Sequence, residues 1–105
     1  MPTVSLPNRF YAGTLAASET TVYTTPAAQI DVITSVTFAN LTDATRTVTM
    51  KLADQFMCKS LDVPPRAVIV LDFRQVLNTA ENIKISADQA TAISAFISGV
   101  KINNV

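Results

Sequence analysis

The residues able to do chemistry in this chain are few and scattered. Its carboxylates are Glu19, Asp31, Asp43, Asp54, Asp62, Asp72, Glu81 and Asp88, spread about one to a strand or turn. A glycosidase needs two carboxyls at a fixed separation. Most of these aspartates stand at expected strand ends or turns, where a short carboxylate caps local backbone. Ser98-Gly99-Val100-Lys101 has the S-x-x-K spacing of serine acylating enzymes. That motif opens a helix, which sets serine beside lysine. On a strand, residues three apart face opposite sides, and the companion motifs S-D-N and K-T-G are missing. With no histidine and one cysteine, the chain excludes imidazole catalysis, an intrachain disulfide and a zinc site of several Cys and His. Cys58, next to Phe56 and Met57, reads as a small buried hydrophobe. Gly13 and Gly99 are the only glycines, so no glycine-rich phosphate loop exists, and no D-x-D-x-D-G calcium pattern does either. Asn40-Leu41-Thr42 matches a glycosylation acceptor, which has meaning only in a secreted eukaryotic protein. No catalytic, cofactor-binding or metal site is expected.

Binding by charge is equally unpromising. Eight basic and eight acidic residues cancel, and only 15% of the 105 residues are charged. Arg9, Arg46, Lys51, Lys59, Arg66, Arg74, Lys84 and Lys101 are dispersed without interleaved aromatics, so neither nucleic acid nor an anionic membrane is an expected partner. The longest apolar run, residues 67–71, falls far short of the ~20 residues that span a bilayer. The first residues lack the basic start and apolar stretch of a signal peptide. A cytosolic origin and a single domain over 1–105 are therefore expected.

The elements that position these residues are strands. β-branched Thr, Val and Ile dominate, and they favour a pleated, half-buried surface. From Ile30 the even positions read Ile30, Val32, Thr34, Val36 and Phe38, a period of two with the even face inward. Val48, Met50 and Leu52 repeat the pattern, and Asn40-Leu41-Thr42-Asp43-Ala44 between them suggests a hairpin. Further strands are expected near 13–17, at 22–24, at 56–61 as an edge before Pro64-Pro65, at 67–73 in a central position, at 82–87 and at 92–102. Gly99 is expected at a bulge or close backbone approach. Only 74–81 could make a helical turn. Seven or eight short strands describe an all-β antiparallel sandwich, jelly-roll or Ig-like, with a small barrel as the alternative. The expected core is Ile30, Val32, Val36, Phe38, Val48, Met50, Leu52, Ile69, Leu71, Ile83, Ile85 and Phe96. Residues 1–10, with Pro2 and Pro7, read either as an arm reaching a neighbour or as a terminus packed along its own sandwich.

The order of segments resembles the small β-sandwich structural proteins of tailed-bacteriophage virions. The resemblance rests on Val22-Tyr23-Thr24-Thr25-Pro26-Ala27, then Ile33-Thr34-Ser35-Val36-Thr37-Phe38-Ala39-Asn40. It continues through Val76-Leu77-Asn78, Ile83-Lys84-Ile85-Ser86-Ala87 and a closing strand with Ser98-Gly99-Val100, so that it covers about 22–102. Relatives often carry glycine in the turn before the Ile83 strand, where this chain has Ala80-Glu81-Asn82; Asn82 would tolerate a left-handed turn. The resemblance implies a virion component without enzymatic activity or cofactor: a capsid decoration or cement protein, or a neck or tail component.

Surface arithmetic adds self-association. Soluble monomers carry charge on ~25–35% of the surface and a net charge away from zero, and this chain has neither. Candidate interface residues are Phe10 and Tyr11 near the terminus and Ile33, Val68 and Val70 at outward strand positions. A homo-oligomer, trimer or ring, docked on other virion proteins such as the major capsid protein, is the expectation. A glycan-binding recognition module and an enzyme with scattered carboxylates are the competing classes.

Overall fold

The computed structural model describes the backbone of residues 3–104 and the side chains of 6–102. Among the described residues eight strands run in order: β1 (Thr3–Thr14), β2 (Thr20–Thr24), β3 (Gln29–Asn40), β4 (Arg46–Leu52), β5 (Gln55–Val63), β6 (Val68–Leu77), β7 (Asn82–Ala87) and β8 (Ile93–Asn104). They form two four-stranded antiparallel sheets, β1-β8-β3-β6 and β2-β7-β4-β5. The pairings are nested: β4 with β5, β3 with β6, β2 with β7, β1 with β8. The chain is thus one long antiparallel ribbon rolled into a sandwich, the topology of a jelly roll.

The tip of that ribbon is the two-residue turn Ala53-Asp54. Both residues have positive φ (50° and 62°), as a type I′ hairpin turn requires. The expected hairpin between β3 and β4 does not form, because the two strands lie in opposite sheets. Each has one apolar face, Val36 and Phe38 on β3, Val48 and Met50 on β4, and the two faces bury against each other across the core. Alternation reports which face is buried and is silent on whether the partner lies beside the strand or across the core.

The even-inward reading of β3 holds for Val36 and Phe38 and fails before them. An extra residue at Thr34 shifts the register against β8, whereas against β6 Thr34 stands opposite two residues, Phe73 and Arg74. Ile33 and Asp31 therefore turn inward and are fully buried, whereas Ile30 and Val32 turn outward. β1 carries its own bulge at Phe10, opposite the same stretch of β8. The two bulges flank Gly99, which pairs with Asn8 on one side and Ile33 on the other. A Cβ on Gly99 would run into the Val32 carbonyl oxygen and stand 3.0 Å from the Phe10 ring, so the expected close approach is real. In β8 the inward set is Ile93, Ala95 and Ile97, and Phe96 points out, one residue off the expected register.

Further expectations are decided by this backbone. β6 is an edge strand and not central, and its alternate residues face water because no further layer covers this sheet, although its sequence is apolar on both sides. Residues 74–81 make no helical turn: β6 runs to Leu77 and a turn follows, closed by Glu81 N donating to Asn78 O at 3.0 Å. Residues 3–9 pair with β8 up to the Phe10 bulge, the second of the two readings of this terminus; positions 1 and 2 lie outside the described residues. The left-handed residue before β7 is Ala80 (φ 71°), not Asn82.

Two outcomes follow from this backbone. Gly99→Ala must displace the β3 backbone and costs about 3 kcal/mol, read as a lower urea midpoint at unchanged m-value. Ala80→Gly relieves a left-handed alanine. After the entropy cost of glycine it gains about 0.5 kcal/mol, roughly 2 °C in Tm; a fall in Tm would refute that conformation.

Candidate functional site

Ionisable and polar side chains converge at one buried place, around Asp31 on β3. Asp31 Oδ2 accepts hydrogen bonds from Tyr23 Oη at 2.7 Å and Thr25 Oγ1 at 2.9 Å, and Oδ1 accepts from Gln29 Nε2 at 2.7 Å. Gln29 Nε2 also donates to Tyr23 Oη at 3.0 Å. Tyr23 lies on β2 and Thr25 directly follows it, so the carboxylate joins the two sheets. Burial, then the bond to Asp31 and its charge, push the Tyr23 phenol far above its ordinary range, and it stays a donor. With both oxygens engaged and no exposed surface, Asp31 acts as a clamp. Ser98 and Lys101 fall on opposite faces of β8, opposite Ser35 and Asp31 respectively.

Asn40 does the same work at the far end of β3. Its Nδ2 donates to the carbonyls of Ala44 (2.8 Å), Val63 (3.0 Å) and Pro64 (3.1 Å), and its Oδ1 accepts from Thr42 N and Oγ1. The glycosylation-like tripeptide is a loop clasp. Cys58 is half-buried on β5, and burial pushes its thiol up.

The two outer faces of the sandwich differ in character. On the β2-β7-β4-β5 sheet, Lys51 and Lys84 stand directly opposite one another. Each is neutralised, Lys51 by Glu19 at 3.0 Å and Lys84 by Asp54 at 2.7 Å. The Lys84 ammonium holds the Asp54 carboxyl below its ordinary range, and Asp54 in turn raises Lys84. Lys51 and Lys59 also lie over the Phe56 ring, 4.8 and 5.2 Å from its centre. This face is charged and solvated.

The outer face of β1-β8-β3-β6 is nearly bare of charge. Register aligns its outward residues in rows across the four strands. One row is Ala12, Phe96, Thr37, Val70. The next is Arg9, Ser98, Ser35, Asp72, and the one after is Pro7, Val100, Val32, Val76. Beyond them lie Thr14, Ser94, Ala39, Val68 at one end and Ile102 with Ile30 at the other. Val68, Val76, Val70, Phe96 and Ile30 are 60, 54, 53, 46 and 39% exposed. The charges here are Arg9 at one edge and Asp72 with Arg74 at the other. None of the three is in an ion pair among the described residues.

Of the expected interface residues, Val68 and Val70 are on this face. Phe10 is not: its ring packs 5.0 Å from Tyr23 in the core. Ile33 is fully buried because the Thr34 bulge turns it inward. Tyr11 is half-buried, and its hydroxyl donates to the Thr14 carbonyl at 3.2 Å. The face also contains Ile30, Val32, Val76 and Phe96, which alternation alone assigned to the core or left unmarked. The β3 bulge exposes Ile30 and Val32, the register of β8 exposes Phe96, and Val76 lies on the same uncovered outer face of the sheet.

The chain matches no family model and no curated protein sequence. Solved structures do match in fold. The chain is similar to a protein from the disulfide-linked pili of Bacillus endospore appendages, with TM-score 0.50 and 13% identity over 98% of this chain and 89% of that one. It is less similar to a pentameric capsid protein from metagenomic phage sequences, with TM-score 0.39 and 12% identity over 91% of this chain and 60% of that one. A chain of infectious bursal disease virus, Gt strain, matches with TM-score 0.43 and 10% identity over 97% of this chain and 30% of that one. At 13% identity the likeness to the pilus protein bears on fold alone, and the two four-stranded sheets themselves define the class: an all-β antiparallel sandwich.

The clamp makes a testable demand. Tyr23→Phe removes a donor from a buried carboxylate and costs about 1–3 kcal/mol in denaturant unfolding. Tyr11→Phe, which loses only an exposed bond, costs under about 0.5 kcal/mol.

Proposed function

We propose that this chain is a non-enzymatic structural subunit of a virus particle, held against copies of itself and against other particle proteins such as the major capsid protein. Its finer assignment is a capsid decoration or cement protein of a tailed bacteriophage, assembled in the host cytoplasm. A neck or tail component is the alternative.

The observation that carries this reading is the low-charge outer face of β1-β8-β3-β6, with Val68, Val70, Val76 and Phe96 exposed together. An apolar expanse of that kind on a small soluble domain marks an interaction surface. The opposite sheet supports the same reading, because there the chain places compensated charges. Viral capsid domains use the jelly-roll topology, as do lectins and cupins, so topology alone does not choose among them. A glycan-binding reading asks for aromatic rings lining one groove. The exposed rings Phe56 and Phe96 lie on different sheets, which favours the structural role.

Quantitative mass spectrometry of purified particles from the source genome tests the proposal. A decoration protein is expected in many copies spread over the shell, and a neck or tail component in one ring or tube. Absence from particles, together with a monomer at high concentration, overturns the reading.

A further inference from the structure

We infer that the outer face of β1-β8-β3-β6 binds a second copy of this chain, face to face, about a two-fold axis running parallel to the strands. The inference rests on the self-associating role proposed above. It makes a two-fold contact the elementary one, in place of the trimer or ring expected from composition.

Area comes first. Four strands at about 4.8 Å spacing and strands of twelve residues at about 3.3 Å give a face of roughly 19 by 40 Å, or about 750 Å² per copy. A stable interface covers about 800 Å² per partner. The face is the right size for one copy to cover.

Charge then selects the arrangement. Sheets that pack face to face keep their strands nearly aligned, which leaves two in-plane two-fold axes. The row Arg9, Ser98, Ser35, Asp72 is the middle row of the face, with Arg9 on one edge strand and Asp72 on the other. An axis across the strands, placed for greatest overlap, lays Arg9 over the partner's Arg9 and Asp72 over the partner's Asp72. An axis along the strands lays β1 over β6 and β8 over β3, and keeps every residue at its own height. Arg9 then stands opposite the partner's Asp72, twice in the dimer. Arg74, two residues beyond Asp72 on the same edge, stays at the wet rim, where solvent and salt screen it.

Shape agrees with charge. The same axis sets Phe96 against the partner's Thr37 and Val70 against the partner's Ala12, large against small. It sets Val100 against the partner's Val32, apolar against apolar. Each row is complementary to its own inverse, which is what an isologous interface needs.

A charge-reversal cycle read by sedimentation equilibrium tests the geometry. Arg9→Glu and Asp72→Arg each oppose like charges and weaken the dimer about tenfold or more, whereas the double variant restores Kd to within about threefold of the parent. Val70→Asp, at an exposed position that leaves the fold intact by circular dichroism, yields monomer. Unchanged association in Val70→Asp, or singles that the double does not rescue, overturns this face while leaving self-association through another surface standing. A parent chain that is monomeric at millimolar concentration overturns the inference. The particle measurement above then decides the functional reading separately.

Discussion

The Val32 carbonyl lies against the Cα of Gly99, and the arrangement of both sheets follows from that contact. At this height β1 and β3 each carry one residue more than β8 between them, at Phe10 and Thr34. A bulge lets a strand change which face it presents. On β3 the change brings Ile33 and Asp31 inward and sends Ile30 and Val32 outward. On β1 it drops Phe10 into the core against Tyr23. A side chain at position 99 would occupy the space that Val32 and Phe10 share, so the two bulges and the glycine form one unit. That unit produces two features at once. Inside, it creates the Asp31 clamp that ties β3 to β2. Outside, it extends the apolar surface past the middle row to Val32, Val100 and Ile30.

How much of this was legible depended on whether the signal was local. The alternation of Val48, Met50 and Leu52, and of Ile83 and Ile85, predicts inward faces that the fold keeps, because no residue is inserted within those apolar runs. β3 alternates just as cleanly by sequence. The single residue inserted at Thr34 leaves no mark there, since β-branched residues occupy both faces. β8 offered apolar residues at Ile93, Phe96 and Ile97 alike, so its register was free to slip by one. Non-local facts were hidden altogether. Nothing in Asn40-Leu41-Thr42-Asp43-Ala44 distinguishes a hairpin from a crossing between sheets. The distinguishing contact is Asn40 reaching Val63 and Pro64, more than twenty residues away. The edge position of β6 was hidden for the same reason: an apolar strand reads as central whether its outer side meets a neighbour in the same chain or in another. Val68 and Val70 were legible as outward under either reading. Arg9 and Asp72 were not, because only the register aligns them in one row.

The two clamps explain how a chain with so few charges keeps its sheets in register. Hydrophobic burial is non-directional and fixes no height of one sheet over the other. Asp31 and Asn40, at opposite ends of β3, both reach across to the second sheet or its loops with hydrogen bonds of 2.7–3.1 Å. A buried polar group is costly unless each of its bonds is made, so a slip of one residue at either end would carry a penalty that apolar contacts alone would not impose.

The edges and faces of the sandwich are treated in opposite ways, and the contrast bears on how it associates. An open edge strand invites pairing with any other strand, and proteins blunt edges with bulges, prolines and lysines. β1 has Pro7 and the Phe10 bulge, and β2 has a register shift before Tyr23. β5 has two irregularities, a left-handed Ser60, and Lys59 over Phe56. β6 is broken opposite Thr34 and carries Asp72 and Arg74 beside the break. All four edges are thus poor templates for a fifth strand. The charged face over β4 and β7 presents Lys51, Lys84 and their ion-pair partners. What remains is the face whose charges, among the described residues, sit at its two borders. A domain guarded at every edge and wetted on one side has a single broad dry surface left, and contacts made there are side chain to side chain. Made about a two-fold axis such contacts close a pair, whereas strand addition at an open edge can propagate.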